Sequence, residues 1–442
     1  MPRPLLLCSL LFALAPRADA QAPRPRGEPS AVRGLVGSLV QRVWGGPRVD
    51  APVPSRRPDV PLAFVAPDDA FAVHAPEDVD ATILLRAAET LAHARDELRR
   101  LGWGEPLADG GRGGTMGFDL YLVPGEAEAR GESDGLDTSG TLDAAFAHAV
   151  VGLEVDALEP CVVDAYAQAT LLGLDPAESP RVRRAFAAWI TYRLTGRAGC
   201  DDAIDAWQFE PEAGPFEETL LDGAGGALFL ELLDARLDGE GRFPRELYQL
   251  LRQRTWEGRG LRASPDVWES IEAIVESRGG RFVDLLVDVS VARAMPSHRA
   301  PEPVLRALAT PPRVIFRGAP RALPWFSRAS DRGVSAGGAA YALVDVARFT
   351  EGQALSIWLD GEYGVRSSLV VVALDGEGRE LARRGSPPGG TLHRAFVPFV
   401  VPEGARTLLL VGAGLGFERP DEDVPTPVAR RMRFAIDEAK SP

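Results

Sequence analysis

The chain has 442 residues, an apolar fraction of 45% and a formal charge of −14. That length accommodates two or three domains, and the acidic balance argues against nucleic-acid binding as the main task. Among 49 basic residues Lys440 is the sole lysine, which excludes a Schiff-base lysine and a Gly-Lys-Ser/Thr phosphate loop.

The N-terminus reads as an export signal over residues 1–20. Arg3 precedes the apolar run "LLLCSLLFALA", and Ala18 and Ala20 are the small residues ahead of Gln21. Cys8 sits inside that run without the small residues that precede a lipidation site. The predicted location is therefore periplasmic, cell-envelope or extracellular. Cys161 and Cys200 are then the two cysteines of the mature chain, and in an oxidising compartment they are expected to form a disulfide.

Residues 21–60 are rich in Pro, Gly and Arg and read as a linker. Within it, Val32, Leu35, Val36, Leu39, Val40, Val43 and Trp44 line one helical stripe. Residues 30–44 thus have three readings open to them: docking on the protein, disorder, or contact with an anionic membrane surface. From 61 the pattern is strand ("AFAVHA"), helix ("DATILLRAAETLAHARDELRRLG") and strand ("FDLYLVP"). His93 and Glu97 are four apart on that helix but fall on its arginine-rich face, which predicts a solvated pair.

Residues 140–300 read as mostly helical. "TLDAAFAHAVVGLEVD" spaces Leu142, Phe146, Val150 and Leu153 as a helix that carries His148. A second helix starts with Ser179 as N-cap and Pro180 in its first turn, and ends at Gly196. "GGALFLELLDARLDG", "RELYQLLRQR", "DVWESIEAIVESRG" and "RFVDLLVDVSVARAM" are further helices. After about 310, short strands separated by turn residues predict an antiparallel β-sandwich over 311–438.

Two constellations bear on chemistry. "GVSAG" matches a G-x-S-x-G elbow at Gly333, Ser335 and Gly337, with Asp345, Asp360, Asp375 and His393 as partners for a serine hydrolase. Its all-β surroundings favour a glycine-rich loop instead. His74 and His298 lie beside prolines with no partner at ligand spacing.

The second is a metal-site pattern. Zinc peptidases of the HExxH kind hold the metal with two histidines one helical turn apart and a third ligand from a following helix. "AAFAHAV" and "RAFAAW", in the order of elements just given, resemble the motifs A-H-E-x-x-H-A-V-Q and E-G-T-A-x-W of secreted bacterial gluzincin-type metallopeptidases. The resemblance implies an α+β fold. The resemblance also implies a metallopeptidase-like domain over 61–305, a β-α-β lobe plus a helical lobe, followed by the sandwich. It sets His148 at the second histidine, Ala144 at the first, Ala145 at the catalytic glutamate and Arg184 at the third ligand. Alanine binds no zinc and arginine opposes it, so the expectation is an exported protein that has lost metal, cofactor and catalysis. It would serve as a peptide- or protein-binding or envelope scaffold, with "FDLYLVP" as an edge for β-augmentation. The alternative is an active hydrolase, with zinc at a non-standard site or with Ser335 as nucleophile.

Overall fold

The computed structural model describes residues 48–107, 110–140, 142–252, 261–262, 264–295, 300–308, 310–361, 366–387, 394–416 and 431–439. The signal segment, the 30–44 stripe, His298 and His393 lie outside the described residues.

Five strands form the first sheet. They are β2 (Leu62–Val65), β3 (Phe71–His74), β4 (Phe118–Val123), β5 (Ala129–Leu136) and β6 (Ala145–Gly152), in the order β2-β3-β4-β6-β5. A two-residue strand β1 (Arg48–Val49) pairs separately with β7 (Leu261–Arg262). β3, β4 and β6 run parallel, and β2 and β5 are antiparallel edges. Helix α1 (Ala81–Leu101) makes the crossover from β3 to β4. Asp80 caps its first turn by accepting from the Thr82 amide, and Gly102 ends it in the left-handed region.

The predicted histidine helix is a strand. Residues 145–152 form β6, between β4 and β5, and all but Phe146 are buried. A strand covered on both faces needs apolar residues at every position, so its sequence loses the two-residue alternation and mimics a buried helix. "FDLYLVP" forms β4, which is interior, so it offers no edge for augmentation.

The helix that follows, α2 (Leu158–Leu174), is buried from Pro160 to Gly173. α2 lies across the sheet, and α3 (Pro180–Thr195) packs beside it. Ser179 accepts from the Val182 amide at the start of α3, and Gly196 terminates it, as the sequence predicts. Cys161, in the first turn of α2, is joined by a disulfide to Cys200, just beyond α3. The helical lobe continues with α4 (Ala206–Phe209), α5 (Ala227–Leu237), α6 (Phe243–Leu251), α7 (Val267–Ser277), α8 (Phe282–Arg293) and α9 (Pro303–Ala307).

Nine further strands make two sheets. β8 (Phe316–Gly318), β10 (Ala339–Asp345), β12 (Arg366–Leu374), β13 (Glu380–Gly385) and β15 (Thr407–Gly416) form one, in the order β13-β12-β15-β10-β8. β9 (Trp325–Phe326), β11 (Ala354–Asp360), β14 (Arg394–Val400) and β16 (Arg433–Glu438) form the other, in the order β14-β11-β16-β9. Pairing is antiparallel except between β8 and β10. Their inner faces share a core that includes Leu369, Val371 and Leu410 from one sheet and Ile357, Phe399 and Phe434 from the other.

The outer face of the first of these sheets is buried against α8. Tyr341, Val370, Val372, Leu409 and Val411 meet Val287, Val291 and Met295. At the end of α8, Arg293 is fully buried with its guanidinium carbon 3.7 Å from the centre of the Trp207 ring. Its Nη2 donates to Pro211 O at 2.8 Å and to the Tyr341 hydroxyl at 3.0 Å, and that hydroxyl donates to Ser290 O at 2.9 Å. The "GVSAG" loop docks beside this stack: Ser335 N donates to Glu212 O at 2.9 Å and Ala339 N to Pro211 O at 2.7 Å. A Cβ on Gly338 would sit 2.2 Å from Glu212 O, and Gly337 beside it adopts a φ of +78°, so close backbone approach and a left-handed turn call for these two glycines.

Arg293→Ala takes one hydrogen-bond partner each from Pro211 O and the Tyr341 hydroxyl, which keep Ala339 N and Ser290 O, and leaves a cavity against the Trp207 ring. We expect it to lower urea-unfolding stability by about 3 kcal/mol or more, against about 1 kcal/mol for Tyr341→Phe. A smaller loss for Arg293→Ala than for Tyr341→Phe would contradict this account of the junction.

Candidate functional site

The first sheet turns its apolar side toward α1 and α2, through Val73, Leu120, Ala149 and Val151. Alternation places His74, Asp119, Tyr121, Glu132 and His148 on the opposite side. Asp134, two residues after Glu132, joins them at a slip in the β5–β6 register between Ser133 and Gly135.

Residues 50–61, of which 50–60 read from sequence as linker, cross this polar face. Arg57 is the hub. Its Nη1 donates to Asp119 Oδ2 at 2.5 Å and to the Tyr121 hydroxyl at 3.1 Å, and its Nε donates to Asp134 Oδ1 at 3.0 Å. Each carboxylate then holds a histidine: Asp119 Oδ1 lies 3.0 Å from His74 Nε2, and Asp134 Oδ1 lies 3.1 Å from His148 Nδ1. His148 Nε2 is 3.5 Å from Glu132 Oε2, an ion-pair contact without hydrogen-bond geometry. Tyr121 stacks on His74 at 4.4 Å and meets His148 edge-on at 5.4 Å. Gly113 closes over the centre, where a Cβ would fall 1.9 Å from Asp119 Oδ2.

The charges set the proton affinities. Burial alone would raise the Asp134 carboxyl, but His148 and Arg57 overcome it and hold it at about 2. His148 and Arg130 draw Glu132 down to about 2 against burial. Burial would lower the His148 imidazole, yet Asp134 and Glu132 beside it push it above its ordinary value. His74, expected to lack a partner, is bound to Asp119. Every polar group here faces another, which makes the cluster a buried ionic network rather than an open metal site.

A second cluster lies where α2 and α3 meet the β5 edge. Asp164 and Gln168, four apart on α2, are both buried, and Gln168 Nε2 donates to Asp164 Oδ2 at 3.2 Å. Arg184 of α3 brings Nη1 within 3.8 Å of Asp164 Oδ2. Burial raises the Asp164 carboxyl to about 6, with the Arg184 charge, the Cys200 amide and Gln168 opposing it.

Gln168 and Arg184 also reach the backbone of β5. Ala129 O accepts from Arg184 Nη1 at 3.1 Å, and Gly131 N donates to Gln168 Oε1 at 3.3 Å. Gly131 allows the close approach, since a Cβ there would lie 2.4 Å from Ala169 N. Sequence reading missed Asp164 and Gln168. Their signal is two polar residues one turn apart in the apolar run "VVDAYAQATLL".

The other candidates disperse. Ala144 precedes β6 and Ala145 begins it, so neither lies on a helix. His93 is exposed on α1, while Glu97 pairs with Arg100 at 2.6 Å. Ser335 is buried in the docking loop with no helix after it. Asp345 accepts from Ala347 N, Asp360 pairs with Arg394 and Arg433, and Asp375 accepts from Arg379. Among the described residues, no three His, Cys, Asp or Glu side chains are grouped to hold a metal, and no helix is long and apolar enough to cross a membrane.

No family model and no curated protein matches the chain. Solved structures match locally. One is the enzymatically active domain of tailspike protein 4 of bacteriophage CBA120, at 14% identity and TM-score 0.17, over 24% of this chain and 14% of that one. Another is CorA, a surface-associated copper-binding protein of Methylomicrobium album BG8, at 12% identity and TM-score 0.19, over 29% of this chain and 100% of that one. Scores this low carry no argument about fold or ligand.

The upward shift of His148 links stability to pH. Its contribution is fully present below the ordinary imidazole value of about 6.5 and is lost as pH rises through the higher folded value. Between about pH 6 and pH 9, the urea midpoint of the natural chain should fall further than that of His148→Gln. Parallel curves for the two proteins would rule out a charged His148 in the fold.

Proposed function

We propose that the protein is a non-catalytic, metallopeptidase-like scaffold that binds an extended peptide or protein segment along β5. One observation carries the reading: Asp164, Gln168 and Arg184 converge from a buried helix and the helix after it, beside an antiparallel edge strand. This is the arrangement the gluzincin resemblance calls for, two side chains one helical turn apart and a third from the next helix. It moves the degenerate site one element along, from Ala144, Ala145 and His148 to Asp164, Ala165 and Gln168, and keeps Arg184 at the third position.

The residues present do not fit a zinc ion. The Arg184 guanidinium offers only donors where a metal needs lone pairs, and the Gln168 oxygen already accepts from Gly131 N. A protonatable Asp164 near Arg184 fills the place with an internal ion pair, and a metal-bound water has no place in that arrangement. The disulfide and the signal-like N-terminus support export. Peptide binding draws support from β5 itself, an edge strand whose outer side meets the Gln168 and Arg184 side chains and the Ser55 amide rather than another strand.

The natural chain should carry no stoichiometric zinc after dialysis, by elemental analysis. The triple variant Asp164→His, Gln168→His, Arg184→Glu should take up about one zinc per chain and give a tetrahedral cobalt(II) spectrum. Stoichiometric zinc in the natural protein, or a folded triple variant that binds none, would overturn the reading.

A further inference from the structure

We infer that residues 50–61 are a releasable latch on the β5 edge, an internal occupant that an extended peptide must displace. The latch rests on the peptide-binding reading of β5 and supplies its regulation.

Ser55 sits on that edge. Its amide donates to Ser133 O at 2.8 Å and its hydroxyl to the same oxygen at 2.9 Å. Pro54 packs close to Gly135. From there the chain runs over the polar face to Leu62 on β2, the far edge of the sheet. Four strand spacings amount to about 19 Å, and seven extended residues reach about 23 Å. The strap is therefore drawn nearly straight, with little slack.

It covers the edge without becoming part of the sheet. Pro52, Pro54, Pro58 and Pro61 lack backbone N–H groups, so the segment cannot extend the ladder. Among the described residues, its backbone hydrogen bonds to the sheet are Ser55 N to Ser133 O and Ala75 N to Pro61 O. None of residues 50–61 is buried, and Val53 is 84% exposed. What fastens the strap to the sheet is the ionic grip of Arg57 on Asp119 and Asp134. The rest of the edge is held in the same replaceable way, by the Gln168 and Arg184 side chains at Gly131 and Ala129. An incoming strand with a full set of amides satisfies all of these groups at once, which the strap cannot do.

The test uses the full chain and a fluorescent peptide of residues 50–60, "DAPVPSRRPDV". In the natural protein the peptide should not bind, and trypsin should cut slowly after Arg56. In Arg57→Gln, which removes the charge and leaves that cleavage site, trypsin should cut at least ten times faster and the peptide should bind. Circular dichroism and melting temperature report whether the variant is folded. A folded Arg57→Gln chain that is neither cut faster nor able to bind the peptide overturns the latch. If Arg57→Gln does not fold, Arg57→Lys decides: it keeps a positive charge but loses the fork that grips Asp119 and Asp134 together. It should bind the peptide, and failure to do so overturns the proposal. Zinc uptake by the triple variant is independent of this result, so a working latch beside a failed metal site would sink the metallopeptidase-like reading alone.

Discussion

The Arg57 guanidinium, set between Asp119 and Asp134, is the constraint on which the first lobe turns. Two carboxylates buried side by side repel each other and are costly to ionise unless a cation stands between them. Arg57 supplies that cation from a segment 62 residues before Asp119 and 77 before Asp134 in the chain. With it in place, each carboxylate has charge left to orient a histidine, and the polar face of the sheet closes with its charged groups set against one another. The planar fork of arginine suits this task, because one side chain addresses two anions and a phenol at once.

The same sheet shows how a two-sided environment shapes what becomes of a candidate site. Its apolar face is committed to α1 and α2, its polar face to the network under the strap, and its open edge to Gln168, Arg184 and Ser55. Asp164, Gln168 and Arg184 are set against one another at that edge, and burial makes the Asp164 carboxyl reluctant to ionise.

Much of the architecture was legible in the sequence wherever one face of an element meets solvent. α3 was framed by Ser179 and Gly196, and the strands of the sandwich by turn residues and alternation. Legibility failed where both faces are covered. β6 and α2 are apolar nearly all round, so periodicity could not tell strand from helix, and the histidine was set on the wrong element. The network was invisible for another reason: its partners are far apart in sequence and share no motif. Composition also misled, since a segment rich in proline and arginine reads as linker whether it is free or stretched over a sheet.

The buried Arg293 bears on how such a protein is assembled over evolutionary time. A β-sandwich is often a portable cassette, because its surface is complete without its neighbour. Here it is not. Tyr341, Val370 and Leu409 on its outer face are finished only by α8, and the Tyr341 hydroxyl finds both donor and acceptor on the helical lobe. A recombination breakpoint placed near residue 311 would expose that face and take from the Arg293 guanidinium its bonds to the Tyr341 hydroxyl. The two lobes must then be inherited together, and substitutions at Trp207, Arg293 and Tyr341 should change in concert rather than singly.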